Sequence, residues 1–196
     1  MSYPEDITQE ELARLDQAAF AGAIVVVSKA DRIFSKAMEY LGSQRVIGFD
    51  TETRPVFHSG EPKRQVALLQ LSGKDRAYLF RLNSLGIPGK LTALLSRPEI
   101  IKVGAAVHDD IKGLQSYRKF VPEGFVDLQS MVGSYGLKVK SVKKMAAIIL
   151  GLRVSKAQQL SNWEAPELTE AQLEYAATDA WVCREMYIKL KTQDNI

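Results

Sequence analysis

The sequence has one cysteine, Cys183, so it cannot form an internal disulfide and nothing in it points to an oxidising compartment. It also has no long apolar run. The longest, Ala23 to Val27 and Ala146 to Leu150, fall far short of the ~20 residues that a membrane-crossing helix needs. The N-terminus, MSYPEDITQEEL, is acidic and lacks the hydrophobic core of a secretory signal. Repeats and low-complexity tracts are missing too. The net charge of +3 is too small to indicate nucleic-acid binding by itself. A cytoplasmic protein with no membrane contact is therefore expected. What is present, 46% hydrophobic and 25% charged residues in 196, is the balance of a folded globular domain with a real core. The expected organisation is a short N-terminal helical extension over residues 1–22 and one domain over 23–196.

Apolar strands alternate with amphipathic helices. Thr8-Gln9-Glu10-Glu11 forms a capping box that opens a helix expected to run to about Phe20. Strands are predicted at Ala23 to Val27, Arg45 to Glu52, Val66 to Ser72, Arg76 to Phe80 and Ile101 to Val107. Helices are predicted from a cap within Ser28 to Asp31 to near Gly42, around Gly89 to Leu95, and from about Asp109 to Tyr117. After a short apolar stretch at Gly124 to Leu128, the remainder reads as helical. Strands first and helices last indicate an α/β or mixed-sheet fold.

The chemistry begins at Phe49-Asp50-Thr51-Glu52. Alternate residues of a strand share a face, so Asp50 and Glu52 project together while Ile47, Phe49 and Thr51 point the other way. Like charges so placed repel unless a cation lies between them, and Mg²⁺ or Mn²⁺ favours carboxylate oxygen. The solvated end of an ordinary strand looks the same. On the last predicted helix, opened by the capping box Thr169 to Gln172 and running to about Lys191, Asp179 borders an apolar stripe. Tyr175 stands four residues earlier on the same face. A carboxylate there needs either a metal or a structural hydrogen bond from that tyrosine. The third acid lies in VGAAVHDD, residues 103–110, where a strand of small residues runs into Asp109 and Asp110. Acids are common at a helix start, which accounts for one of the two. It does not account for so little bulk before them.

The strings FDTE, VGAAVHDD and LSNWEAPELTEAQLEYAATDA together resemble the three motifs of the DEDD superfamily of 3′-to-5′ exonucleases. The Tyr-x-x-x-Asp form of the third is similar to the tyrosine-type subgroup. Within it the chain resembles the exonuclease domain of the Werner syndrome protein most, and ribonuclease D more distantly. VALLQLSG, AYLFRL and FVDLQSM fit the same order, and the likeness runs from about Ile24 to Leu190.

The resemblance implies a ribonuclease-H-like fold, with a mixed central sheet flanked by helices. It implies two divalent cations, Mg²⁺ or Mn²⁺, and release of 5′-mononucleotides from a nucleic acid with a free 3′ end. Asp50 would bridge the two ions, Glu52 and Asp179 would complete one site, and Asp110 rather than Asp109 would hold the second through water. Tyr175 would orient or help deprotonate the attacking water. For the nucleic acid, Lys156 matches a family lysine before the SxW string, and Thr51, Arg54, Lys63 and Arg64 follow or lie within the first motif. The run LKVKSVKK has four lysines in eight residues and reads equally as a phosphate track or a solvated helix face. His58 reads as a loop histidine and Trp163 as a packing residue. One departure stands out: Pro166 lies one place early, with Glu167 where the family has proline, so the loop entering the last helix is expected to differ. A chain of this length is expected to have no room for a helicase or extra binding domains, so processivity and substrate choice are expected to be either poorer or supplied by a partner protein. Two alternatives share the scaffold: an inactive nucleic-acid binder, and a hydrolase of small nucleotides.

Overall fold

The computed structural model describes residues 3–58, 60, 62 and 64–194, which leaves Lys63 outside the described residues. Six strands, β1 (Ala23–Val27), β2 (Val46–Thr53), β3 (Val66–Ser72), β4 (Arg76–Arg81), β5 (Ile101–Gly104) and β6 (Phe125–Asp127), form one sheet in the order β1-β4-β3-β2-β5-β6. β1 pairs with β4 in parallel, and β2 with β5 and β5 with β6 likewise, while β3 runs antiparallel to both β2 and β4. The sheet is mixed, as the fold reading expects.

Helices cover both faces, as the alternation of the strands requires. On one side α2 (Arg32–Gly42), α4 (Gly89–Leu95) and α5 (Val107–Tyr117) bring Phe34, Leu41, Leu91 and Leu114 against Ile47, Phe49, Leu71 and Phe80. On the other, α7 (Val142–Leu150) and α8 (Glu170–Gln193) bring Met145, Ile149, Val182 and Met186 against Val103, and Ala176 against Leu68 and Leu79. α8 lies directly on the sheet backbone. A Cβ built at Gly48 would overlap the carbonyl oxygen of Ala180, so this approach needs glycine on the strand. The alanines of α8 serve the same approach, because larger side chains would hold the helix off.

Several elements differ from their predicted extents. α1 is only Gln9–Ala13, although its Thr8–Glu11 capping box forms as expected. Beyond it the chain is no longer helical, because its backbone finds partners elsewhere: Ala18 N–H donates to the Arg153 carbonyl (2.9 Å), Arg153 N–H to the Asp16 carbonyl (2.8 Å) and Phe20 N–H to Thr178 Oγ1 (3.1 Å). β5 stops at Gly104 and α5 begins at Val107, two residues before the predicted start. The C-terminal third is not continuously helical. After β6 come α6 (Leu128–Met131), a 3-10 turn at Val132–Tyr135 and α7, then residues 151–169 form a loop. That loop is anchored by the Arg81 guanidinium, which donates to the carbonyls of Ala165 (2.5 Å) and Pro166 (3.3 Å) just where the sequence departs from the family pattern. A four-residue helix α3 (Leu82–Leu85) had no sequence signal strong enough to predict. Among the described residues no helix is long and apolar enough to cross a membrane.

Candidate active site

The strand period and the α8 packing together assemble the acids. Gly48, Asp50 and Glu52 share the α8-facing side of β2, and the seating of Ala180 on Gly48 brings Asp179 over the neighbouring Asp50. Asp50, Glu52 and Asp179 each offer a carboxylate oxygen within 4.8 Å of the others. The β2–β3 register shifts between Glu52 and Thr53, turning the strand where the carboxylates end.

The electrostatics are those of crowded, partly buried acids. Burial, then the charges of Asp179, Glu52 and Asp110, push Asp50 well above the ordinary carboxylate range. Burial and the Asp179 and Asp110 charges push Glu52 up to about 9. Asp179 rises to about 7 through burial, opposed by hydrogen bonding from Tyr175 and by the Lys156 charge. Its Oδ1 is buried without a hydrogen-bond partner. Three converging carboxylates, one with an orphaned buried oxygen, fit a hard divalent cation, which supplies the missing positive charge and prefers oxygen.

Asp110 approaches from the opposite side of β2. Thr51 points away from Asp50, and its Oγ1–H donates to Asp110 Oδ1 at 2.5 Å. Burial raises Asp110 to about 6 against the pull of that hydrogen bond. It stands outside the close triad, yet its charge acts on both Asp50 and Glu52. Asp109 is exposed and ion-paired with Lys112 at 3.5 Å. The lack of bulk before these acids now has a cause. A Cβ at Gly104 would lie 2.7 Å from the Phe49 carbonyl oxygen. Ala106 adopts a left-handed conformation (φ 58°) that a β-branched residue could not hold without strain. Asp127 Oδ1 fixes this turn, accepting from Ala106 N–H (3.1 Å) and Gln129 N–H (2.8 Å).

Tyr175 lines the same cleft, its ring 6.0 Å from that of Trp163, which is fully buried and so acts in packing. Burial, then the charges of Asp179 and Glu52, push its phenol far above the usual range. Cys183, one turn past Asp179, also faces the cleft, and burial pushes its thiol up, so it remains a protonated and poor ligand.

Two grooves meet at Thr51. One, about 310 Å³, holds Asp50, Glu52, Tyr175 and Asp179 and is rimmed by Lys140, Lys143 and Lys156. The other, about 730 Å³, lies beyond Thr51 and Asp110 and carries Arg54, Arg64 and Lys112. The basic run thereby splits. Lys138 pairs with Glu5 (2.7 Å) and Lys144 with Asp6 (2.6 Å), both on the N-terminal segment, whereas Lys140 and Lys143 face the site. Arg54 pairs with Glu164 at 3.3 Å, and Arg64 approaches the same carboxylate at 3.7 Å. Glu164 went unnoticed in the sequence, where an acid after Trp163 carries no signal of its distant partners. His58 is an exposed loop residue.

The raised carboxylates make a pH prediction. Each holds its proton more tightly folded than unfolded, so stability is fully present below the unfolded values near 4 and is lost as pH rises through about 6 (Asp110), 7 (Asp179) and 9 (Glu52). The metal-free protein should therefore lose several degrees or more in Tm between pH 5 and 8, at about 2–4 °C per kcal/mol for a domain of this size. Added Mg²⁺ or Mn²⁺ should restore it, with a gain that grows with pH because cation replaces proton. Thermal melts with chelator and with metal check this, with Glu52→Gln as control. A wild-type Tm that falls no more than the variant's would remove the Glu52 contribution.

Clustered carboxylates at a strand end that could bind metal ions, beside a lysine-rimmed cleft on a mixed sheet, fit the nuclease class. The chain belongs to the 3′-5′ exonuclease family, whose model matches residues 25–193. It is 37% identical over 150 residues to exonuclease 3′-5′ domain-containing protein 2 of Drosophila melanogaster, covering 74% of this chain and 25% of that protein. It is 34% identical over 152 residues to the bifunctional 3′-5′ exonuclease/ATP-dependent helicase WRN of Mus musculus, covering 74% of this chain and 11% of that one. The chain thus spans a quarter or less of these two curated relatives. Among solved structures, the Nibbler EXO domain of Aedes aegypti superposes with a TM-score of 0.75 at 25% identity, covering 93% of this chain and 91% of that one.

Proposed function

We propose that the chain removes 5′-mononucleotides stepwise from the 3′ end of a nucleic acid strand, using two divalent cations, Mg²⁺ or Mn²⁺. The observation that carries this is the convergence of Asp50, Glu52 and Asp179 within 4.8 Å. Asp50, Glu52 and Asp179 would hold one cation, and Asp50 with Asp110 the second. Cations held there would polarise the phosphodiester and ease loss of a proton from the attacking water. The protein's own groups do the rest. Tyr175, its phenol kept protonated by burial and neighbouring carboxylates, holds the attacking water in line rather than removing its proton. Thr51 fixes the Asp110 carboxylate through the 2.5 Å bond. Lys156, with Lys140 and Lys143, faces the strand's phosphates across the cleft. Arg54, held by Glu164 until a phosphate competes for it, serves the other groove.

Digestion of a 5′-labelled oligonucleotide with Mg²⁺ or Mn²⁺, and with chelator, tests the reading. A ladder shortening from the 3′ end, abolished by chelator, is expected. Binding without shortening would indicate an inactive relative, and hydrolysis of free nucleotides alone a different substrate class.

Tyr175→Phe separates orientation from anchoring. The ring packing against Trp163 remains, so Tm should hold within about 1 °C while single-turnover cleavage falls by roughly 10²-fold, the low end for acid–base groups. A loss near 1 kcal/mol in stability with normal cleavage is what a purely structural hydrogen bond would give, and it would take Tyr175 out of the chemistry.

A further inference from the structure

β3 is buried along its whole length, and Gln70 is the residue in it least suited to that. Its amide is fully buried, and neither Oε1 nor Nε2 has a hydrogen-bond partner. Buried amides are nearly always satisfied, so this one calls for a partner it meets in the working protein. The register says where that partner lies. Gln70 stands directly opposite Asp50 in the antiparallel β2–β3 pair. Residues so paired share a face, with Cβ atoms about 4.5–5.5 Å apart. Its other cross-strand neighbour, Leu79, packs against Trp163 and Ala176, which places Gln70 beneath α8. Of the other polar groups on this face, Ser72 Oγ–H donates to the Gly73 carbonyl, Thr178 Oγ1 accepts from Phe20 N–H, and Trp163 Nε1, itself buried without a partner, can only donate and so cannot serve Nε2. The carboxylates remain. A carboxylate only accepts, and an amide Nε2 offers two protons, so the two are complementary.

We propose that Gln70 is a positioning residue for the cation site: its Nε2–H donates to the Asp50 carboxylate and holds it in the orientation that ligates. The inference rests on the reading of Asp50, Glu52 and Asp179 as cation ligands. A ligand oxygen held by a neighbouring donor cannot swing, so the amide sets the direction of Asp50 without touching substrate or metal. Outer groups of this kind typically change metal affinity by about 10–100-fold when removed.

Gln70→Met keeps the unbranched shape and removes both polar atoms, and Gln70→Leu makes the same comparison should the methionine variant fail to fold. Three quantities are read on each: Mn²⁺ affinity by titration, Tm of the metal-free protein, and cleavage of the labelled oligonucleotide. The variant should hold or raise its metal-free Tm, because an unsatisfied buried amide is gone, while Mn²⁺ affinity falls about 10–100-fold and cleavage at limiting metal falls with it. Mn²⁺ affinity within twofold of wild type would overturn the proposal, whether or not Tm changed. A lowered Tm with unchanged affinity would assign Gln70 to packing alone. Asp50→Asn, measured alongside, separates this failure from that of the underlying reading. If wild type and Asp50→Asn bind Mn²⁺ alike, the cation site itself is misassigned.

Discussion

Asp50→Asn should abolish cleavage almost completely while making the metal-free protein more stable. The change is nearly isosteric and removes one charge from the most crowded position in the site. Asp50 has burial and three neighbouring acids acting against its ionised form, so neutralising it relieves burial and repulsion together. A rise of a few degrees in metal-free Tm follows, at about 2–4 °C per kcal/mol for this size. Activity moves the opposite way. A metal clamp on attacking and leaving oxygens is worth several kcal/mol, and each 1.4 kcal/mol is tenfold in rate, so a loss of roughly 10³-fold or more is expected. Single-turnover rates at saturating Mg²⁺ and paired melts with chelator measure both. Near-wild-type cleavage would mean that Asp50 ligates nothing, and a lower Tm would mean that its carboxylate is structurally required.

The neighbouring aspartates of α5 should part just as sharply. Asp110→Ala is expected to lose roughly 10²–10³-fold in cleavage, because it removes a half-buried carboxylate held at 2.5 Å by Thr51, the proposed ligand of a second cation. Asp109→Ala should keep more than half of the activity. Its side chain is 89% exposed and ion-paired with Lys112 in the first turn, and an exposed i,i+3 pair with a helix-dipole contribution amounts to about 0.5–1 kcal/mol of stability. Assaying both variants at one temperature well below their Tm removes stability from the comparison. The reverse ranking would move the motif by one residue and reassign the second ligand.

Much of the site was legible because its signals are local. The period of a strand put Asp50 and Glu52 on one side and Thr51 on the other, and the structure keeps that split, with Thr51 meeting Asp110 instead of the triad. Both capping boxes began their helices where Thr8 and Thr169 place them. The end of α1 was not legible. Nothing near Ala13 stops a helix, and the competing hydrogen bonds come from Arg153 and Thr178, more than a hundred residues away. The basic run could not be divided from sequence for a similar reason. Lysines at 138, 140, 143 and 144 look alike in one dimension, and only the position of Glu5 and Asp6 diverts two of them from the cleft. Gln70 drew no attention within an apolar strand, since a single polar residue there gives no clue to what it faces.

By itself, then, the sequence determined which residues could carry the chemistry: four acids and a tyrosine, each on an element whose periodicity or cap is written within a few neighbouring residues. Tertiary structure alone decided how they meet. The seating of α8 on Gly48 brings Asp179 to Asp50, the β2–β3 register sets Gln70 opposite Asp50, and the tight turn at Gly104 and Ala106 aims Asp110 at Thr51. Those distances come from how closely two backbones can approach, and that depends on residues far apart in the chain packing together at once.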